Sequence, residues 1–290
     1  MIPLSCFYSW KNLPEERIPE VFAEFKANGC RELVLTSDLL DRIMKEPAFL
    51  LRLMRMAESQ SVCFSEAHGI WGPALGLGVG AKFPSLIPPM RAAHKQAFAF
   101  CADIGCRTYT IHMGAYEHIY FGTGVESIAA CAKNALHELI PAAEKNKIVL
   151  ALENNCDNPG NADALAPVFH EFPSPWFGCC FDVGHAHYLK PEPGKKPFLY
   201  ECGLEQNFCE NSLEKLSPHI VTAHLHDNDG TGDWHRLPGR GTIDWKPLIR
   251  ALKQCPRLLS LQPEVDMTGN QVSVRELVET FQALLRNRKP

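Results

Sequence analysis

The 290-residue chain is 46% hydrophobic and 21% charged, with 20 Gly and 22 Pro, the composition of an ordinary globular protein rather than a disordered or fibrous one. Its 29 Lys and Arg against 33 Asp and Glu give a formal charge of -4, so no global positive field exists to draw it onto nucleic acid or an anionic membrane. No stretch nears the roughly 20 apolar residues that cross a bilayer, and the 12 Cys contain no paired CxxC spacing. These features predict a reduced, cytoplasmic protein without a membrane span or a Cys-based zinc site.

Along the chain, short β-rich runs alternate with longer helical patterns. Strands are expected at 5–10, 32–37, 61–69, 107–114, 147–155, 176–185, 219–227 and 258–266. Helices are expected at about 15–27, 38–58, 88–104, 125–145, 161–171, 204–216, 244–254 and 273–288. In the fourth of these, Ile128, Cys131, Ala135 and Leu139 recur at helical spacing. Eight strands alternating with eight helices, uninterrupted by a linker, predict a single α/β domain over 1–290: a (β/α)₈ TIM barrel. An open dinucleotide-binding sheet has little support, because no GxGxxG follows the first strand.

The chemistry lies in where polar residues fall within those strands. His68, His112, Glu153, Asp182, His185, His224 and Glu264 all stand at C-terminal strand ends, which in a parallel barrel open onto one face. Several carboxylates crowded at one mouth repel each other unless a cation neutralises them, so a divalent metal is expected. Glu153, Asp182, His224 and Glu264 suit Mn²⁺ or Mg²⁺ as well as Zn²⁺. In the segment HLHDNDGTGDWHRLPGRGTIDW (224–245), Asp233 and His235 form a DxH pair that can join His185 around a further ion. Asp227 and Asp229 read as turn residues. His187 and His226 are expected to contact substrate or support the ligands.

The segments LALENN, FDVGH, AHLHDNDG, PGRGTIDW and LQPE resemble those of the xylose isomerase-like TIM barrel superfamily, which holds sugar isomerases and epimerases beside endonuclease IV-type AP endonucleases. The resemblance to the ketose epimerase branch implies one divalent ion on Glu153, Asp182, His224 and Glu264, the two glutamates moving the proton and His185 touching substrate. That branch has an Arg six residues after its metal His, where this chain has Gly230; Arg236 or Arg240 would have to substitute. The resemblance to the endonuclease branch implies three zinc ions: one on His68, His112 and Glu153, one on Glu153, Asp182, His224 and Glu264, and one on His185, Asp233 and His235. Trp71 would then stack on a base or cover a sugar.

Two functions follow as expectations. The favoured one is a metal-dependent isomerase or epimerase of a sugar or sugar phosphate, in which an ion (Zn or Mn, with Mg or Co as further options) holds adjacent carbonyl and hydroxyl oxygens while Glu153 and Glu264 exchange a proton through an enediolate. The alternative is a trinuclear-zinc phosphoesterase. A small sugar is the expected partner; the charge balance disfavours nucleic acid, and the amphipathic helices leave a homo-oligomer open.

Overall fold

The computed structural model describes residues 2–70, 78–114, 116–192, 199 and 203–286. Eight strands form one parallel sheet in sequence order: β1 (Ser5–Cys6), β2 (Glu32–Leu35), β3 (Cys63–His68), β4 (Thr108–His112), β5 (Val149–Glu153), β6 (Phe177–Asp182), β7 (Ile220–Leu225) and β8 (Ser260–Pro263). The sheet curls onto itself: Leu4 bridges Leu261 in parallel, and the Phe7 amide donates to the Pro263 carbonyl at 3.1 Å. The expected TIM barrel is therefore present. Continuous apolar runs such as Leu33–Leu35 and Leu150–Leu152 are wholly buried, as strands covered on both faces require.

Eleven described helices surround the sheet: α1 (Ile18–Ala27), α2 (Ser37–Lys45), α3 (Ala48–Gln60), α4 (Ile87–Ile104), α5 (Tyr116–Phe121), α6 (Val125–Lys145), α7 (Ala162–Glu171), α8 (Val183–Tyr188), α9 (Ser212–Leu216), α10 (Trp245–Leu252) and α11 (Val274–Leu285). In α6, Ile128, Ala132, Ala135, Leu136 and Leu139 face the barrel, and Cys131 lies at the margin of that stripe. Burying a large aliphatic side chain in this way contributes about 1.5–3 kcal/mol. The hydroxyl of Ser273 caps α11 by accepting the Glu276 amide at 3.1 Å.

Helix α5 forms where no helix was expected, and four expected elements differ from the sequence reading, each for a local reason. The first strand stops at Cys6, because Tyr8 and Trp10 turn onto α1 and pack edge-on against Phe25 and Phe22. The helix expected over 38–58 is two helices, broken just before Pro47, whose ring removes a backbone donor. Only Ser212–Leu216 of the helix expected over 204–216 forms. Instead, the Asn207 amide donates to the Asn158 side chain at 2.8 Å, and Asn161 donates to the Asn207 carbonyl at 2.6 Å. The run expected as strand through residue 185 becomes helix α8 immediately after Asp182.

Candidate active site

Strand register aligns the mouth of the barrel. His112 stands opposite Glu153 across β4 and β5, and Asp182 opposite His224 across β6 and β7. Glu264 follows β8 directly and is held by its amide hydrogen bond to the Leu225 carbonyl at 3.0 Å. Four side chains thus converge: ligand atoms of Glu153, Asp182, His224 and Glu264 all lie within 4.8 Å of one another, and each residue is buried.

Nδ1 of His224 is the hub of this group. It lies 3.0 Å from Glu153 Oε1, 2.8 Å from Glu264 Oε2 and 3.9 Å from Asp182 Oδ2. One ring nitrogen donates at most one hydrogen, so it cannot satisfy three carboxylates. Burial should raise the carboxyls' pKa values, yet it is outweighed: His224 and His112 hold Glu153 well below the usual range, and His224 holds Glu264 down to about 2. The imidazoles among the glutamates thus favour their charged forms against the cost of burial. The donor set, three carboxylates and one imidazole on buried residues, fits a divalent cation at that position. His68 and His112 approach the other oxygen of Glu153, Oε2, at 3.4 and 3.0 Å, and His68, Glu153 and His224 also form a three-ligand group within 4.8 Å.

A second cluster adjoins the first. Ligand atoms of His185, His226, Asp233 and His235 lie within 4.8 Å of one another. His185 is not on a strand but in the first turn of α8. Asp182 caps that turn by accepting the His185 amide at 2.6 Å, and the Asn154 carbonyl lies 2.8 Å from His185 Nδ1. Asn154 also accepts the Asp182 amide at 2.8 Å and donates to the Asp182 carbonyl at 2.9 Å, tying both clusters to the end of β5. Asp233 Oδ2 lies 3.2 Å from both His185 Nε2 and His235 Nε2. Burial would lower the pKa of His235, but Asp233 raises it to about 9. The backbone of His235 sits at φ 43°, a left-handed conformation that costs a non-glycine residue free energy and here aims its ring at Asp233.

Several residues correct the sequence expectation. His226, expected to contact substrate or support the ligands, is fully buried: its Nε2 contacts both Asp182 oxygens at 3.1 Å, and its ring stacks on His235 at 3.8 Å, a placement that suits the second of those roles. Two residues apart on a strand share a face, so its spacing from His224 carried that signal. Gly184 makes room for it, since a Cβ there would lie 1.9 Å from the His226 ring. Asp227 is no surface turn residue either; it is buried and accepts from the Gly239 amide, the Ile243 amide and the Trp245 indole at 2.8, 3.2 and 2.9 Å. Asp229 does lie in a surface turn. It is paired with Arg236 at 2.7 Å, and Arg240 is paired with Glu276 at 2.5 Å, so the two arginines considered for substrate binding are both turned to other partners. His187 Nε2 lies 2.8 Å from the Thr242 hydroxyl. Trp71 lies outside the described residues.

The comparisons with known proteins agree with this fold. The family model described as a xylose isomerase-like TIM barrel matches residues 64–261. Among curated proteins, the uncharacterized protein MJ1311 of Methanocaldococcus jannaschii is 27% identical over 164 residues, 55% of this chain and 51% of that one. An uncharacterized protein of Sinorhizobium fredii, y4fM, is 31% identical over 87 residues, 30% of this chain and 23% of that one, so the chain spans about half or less of the length of the curated relatives it matches. Among solved structures, a D-tagatose 3-epimerase-like protein superposes with a TM-score of 0.75 at 17% identity, covering 99% of each chain. The apo 3-keto-D-glucoside 4-epimerase YcjR of E. coli superposes at 0.71 and 14% identity, over 99% of this chain and 100% of that one. A family 2 AP endonuclease of Brucella melitensis superposes at 0.67 and 13% identity, over 98% of each. Because the family model covers residues 64–261, about two thirds of the chain and every residue of the two clusters except Glu264, the chain belongs to the xylose isomerase-like TIM barrel family.

Proposed function

We propose that the chain is a divalent-metal-dependent isomerase or epimerase acting on a sugar or sugar phosphate. The observation that carries this reading is the pair of buried carboxyl groups, Glu153 and Glu264, that meet at one imidazole nitrogen, 3.0 and 2.8 Å from it. Glu153, Asp182, His224 and Glu264 would hold the ion, zinc or manganese first and magnesium or cobalt otherwise. When bound, such an ion polarises vicinal oxygens and acidifies the adjacent C–H. Glu153 and Glu264 then supply what isomerisation needs from the protein: one, as the carboxylate, takes the proton, and the other, as the carboxylic acid, returns one. Named sugar epimerases among the structural neighbours support the same substrate class.

The test is isotope exchange. Wild-type protein with a ketose or sugar-phosphate panel in deuterated water should incorporate deuterium at the reacting carbon, and Glu264→Gln should slow that exchange by about 10²–10⁴-fold. Exchange at the wild-type rate in Glu264→Gln would overturn the assignment.

The cluster of His185, His226, Asp233 and His235 favours a second reading, a multi-zinc phosphoesterase, because a one-ion isomerase has no need of those ligands. The presence of a family 2 AP endonuclease among the neighbours is consistent with it. If Asp233→Ala removes both a bound ion and phosphodiester cleavage while sugar turnover is absent from the wild type, this second reading replaces the first.

A further inference from the structure

A cavity of about 360 Å³ opens at the end of the barrel away from the metal-binding cluster, at the lower end of the roughly 300–1,000 Å³ typical of small-ligand pockets. It lies beside the starts of β6, β7 and β8 and the C-terminal end of α7. Rings form one wall: Phe169 and Phe177 lie 5.3 Å apart, Phe172 meets Phe177 edge-on, and His219 stacks on Phe169 at 5.2 Å and 18°. Arg257 supplies charge. Its Nη2 donates to the Ser174 and Pro175 carbonyls at 3.0 and 3.1 Å, which leaves Nε and Nη1 uncommitted, and it pairs with no carboxylate among the described residues. Nε2 of His219 is buried with no hydrogen-bond partner. None of the lining residues is acidic, and neighbouring Glu171 is turned to Lys133 at 2.6 Å.

A half-buried guanidinium with only carbonyls for company and an imidazole nitrogen with no partner are both costly to keep out of water. Burial lowers the pKa of Arg257, and burial with the nearby His170 and Arg257 lowers that of His219, so no acidic side chain offsets the guanidinium there. We propose that this cavity binds a small organic anion, a flat apolar body bearing a carboxylate or phosphate. Arg257 and His219 take the oxyanion, and the body lies against the Phe169, Phe172 and Phe177 rings.

The test is calorimetric titration of metal-saturated protein with benzoate, phenyl phosphate, inorganic phosphate and benzyl alcohol. Binding of either aryl anion at one site per chain is expected, about tenfold tighter than inorganic phosphate, with no binding of benzyl alcohol. Which aryl anion binds more tightly identifies the charged group. Arg257→Gln should weaken binding by at least about tenfold. His219→Phe, which keeps the ring stack and removes the nitrogen, should weaken it several-fold and decides the matter if Arg257→Gln does not fold. His224→Ala, at the opposite end, should leave the affinity unchanged. The proposal falls if neither aryl anion binds, if benzyl alcohol binds as tightly as benzoate, if both cavity variants bind as wild type does, or if His224→Ala abolishes binding and so places the anion at the mouth.

Discussion

The two clusters at the mouth of the barrel are built differently. Glu153, Asp182 and His224 are side chains of a closed sheet, with 2%, 0% and 0% of their side-chain surface exposed, and register alone brings them together. Asp233 and His235 stand on a loop, 37% and 27% exposed, and the loop's shape depends on buried Asp227 gathering the Gly239, Ile243 and Trp245 donors. A strand site is preorganised by the hydrogen bonds that make the fold, whereas a loop site stands only as long as its anchors do. The first cluster should therefore survive injuries that destroy the second.

That contrast can be broken in four ways. The largest effect is expected from His224→Ala, which removes the one group in contact with all three carboxylates. High-affinity ion binding at the strand cluster should be lost, and the melting temperature of the ion-saturated protein should fall by the equivalent of about 2.7 kcal/mol at a ligand concentration 100 times Kd. Asp227→Ala leaves the buried Trp245 indole without an acceptor, at about 1–3 kcal/mol, and frees the Gly239 and Ile243 amides to water; it should abolish ion binding at the loop cluster while sparing the strand cluster, and elemental analysis of the folded fraction reads this directly. Gly184→Ala drives a methyl into the His226 ring and should destabilise by about 1–3 kcal/mol in denaturant unfolding, with weaker ion binding at the loop cluster. Ser273→Ala removes only the α11 cap, remote from both clusters, and should cost about 1 kcal/mol with ion binding unchanged. Were Ser273→Ala to alter ion binding as much as Asp227→Ala does, loop anchoring would not explain the difference between the clusters.

The barrel and its strand cluster were legible in the sequence because both follow from short-range rules. Alternating elements specify the topology, and an ionisable residue at the end of an apolar run marks the functional face. Glu153, Asp182, His224 and Glu264 could be read that way one segment at a time. The loop cluster was partly legible: the DxH of Asp233 and His235 is visible, but the position of His185 depends on β6 ending at Asp182, whose side chain caps the next helix instead of continuing the strand. The role of Asp227 was hidden for another reason. An Asp among Asn and Gly looks like a turn until three donors from 12 to 18 residues onward fold back onto it. Similarly, nothing local announces that Arg236 and Arg240 will be claimed by Asp229 and Glu276.

The most direct test of the account is the ion count per chain, measured by elemental mass spectrometry on protein saturated with zinc or manganese and then desalted. Wild type should retain at least about one ion per chain, His224→Ala should lose the strand-cluster ion, and Asp233→Ala should keep it. Wild type that retains no ion, or His224→Ala that binds as wild type does, would contradict the claim that Glu153, Asp182, His224 and Glu264 form a metal site.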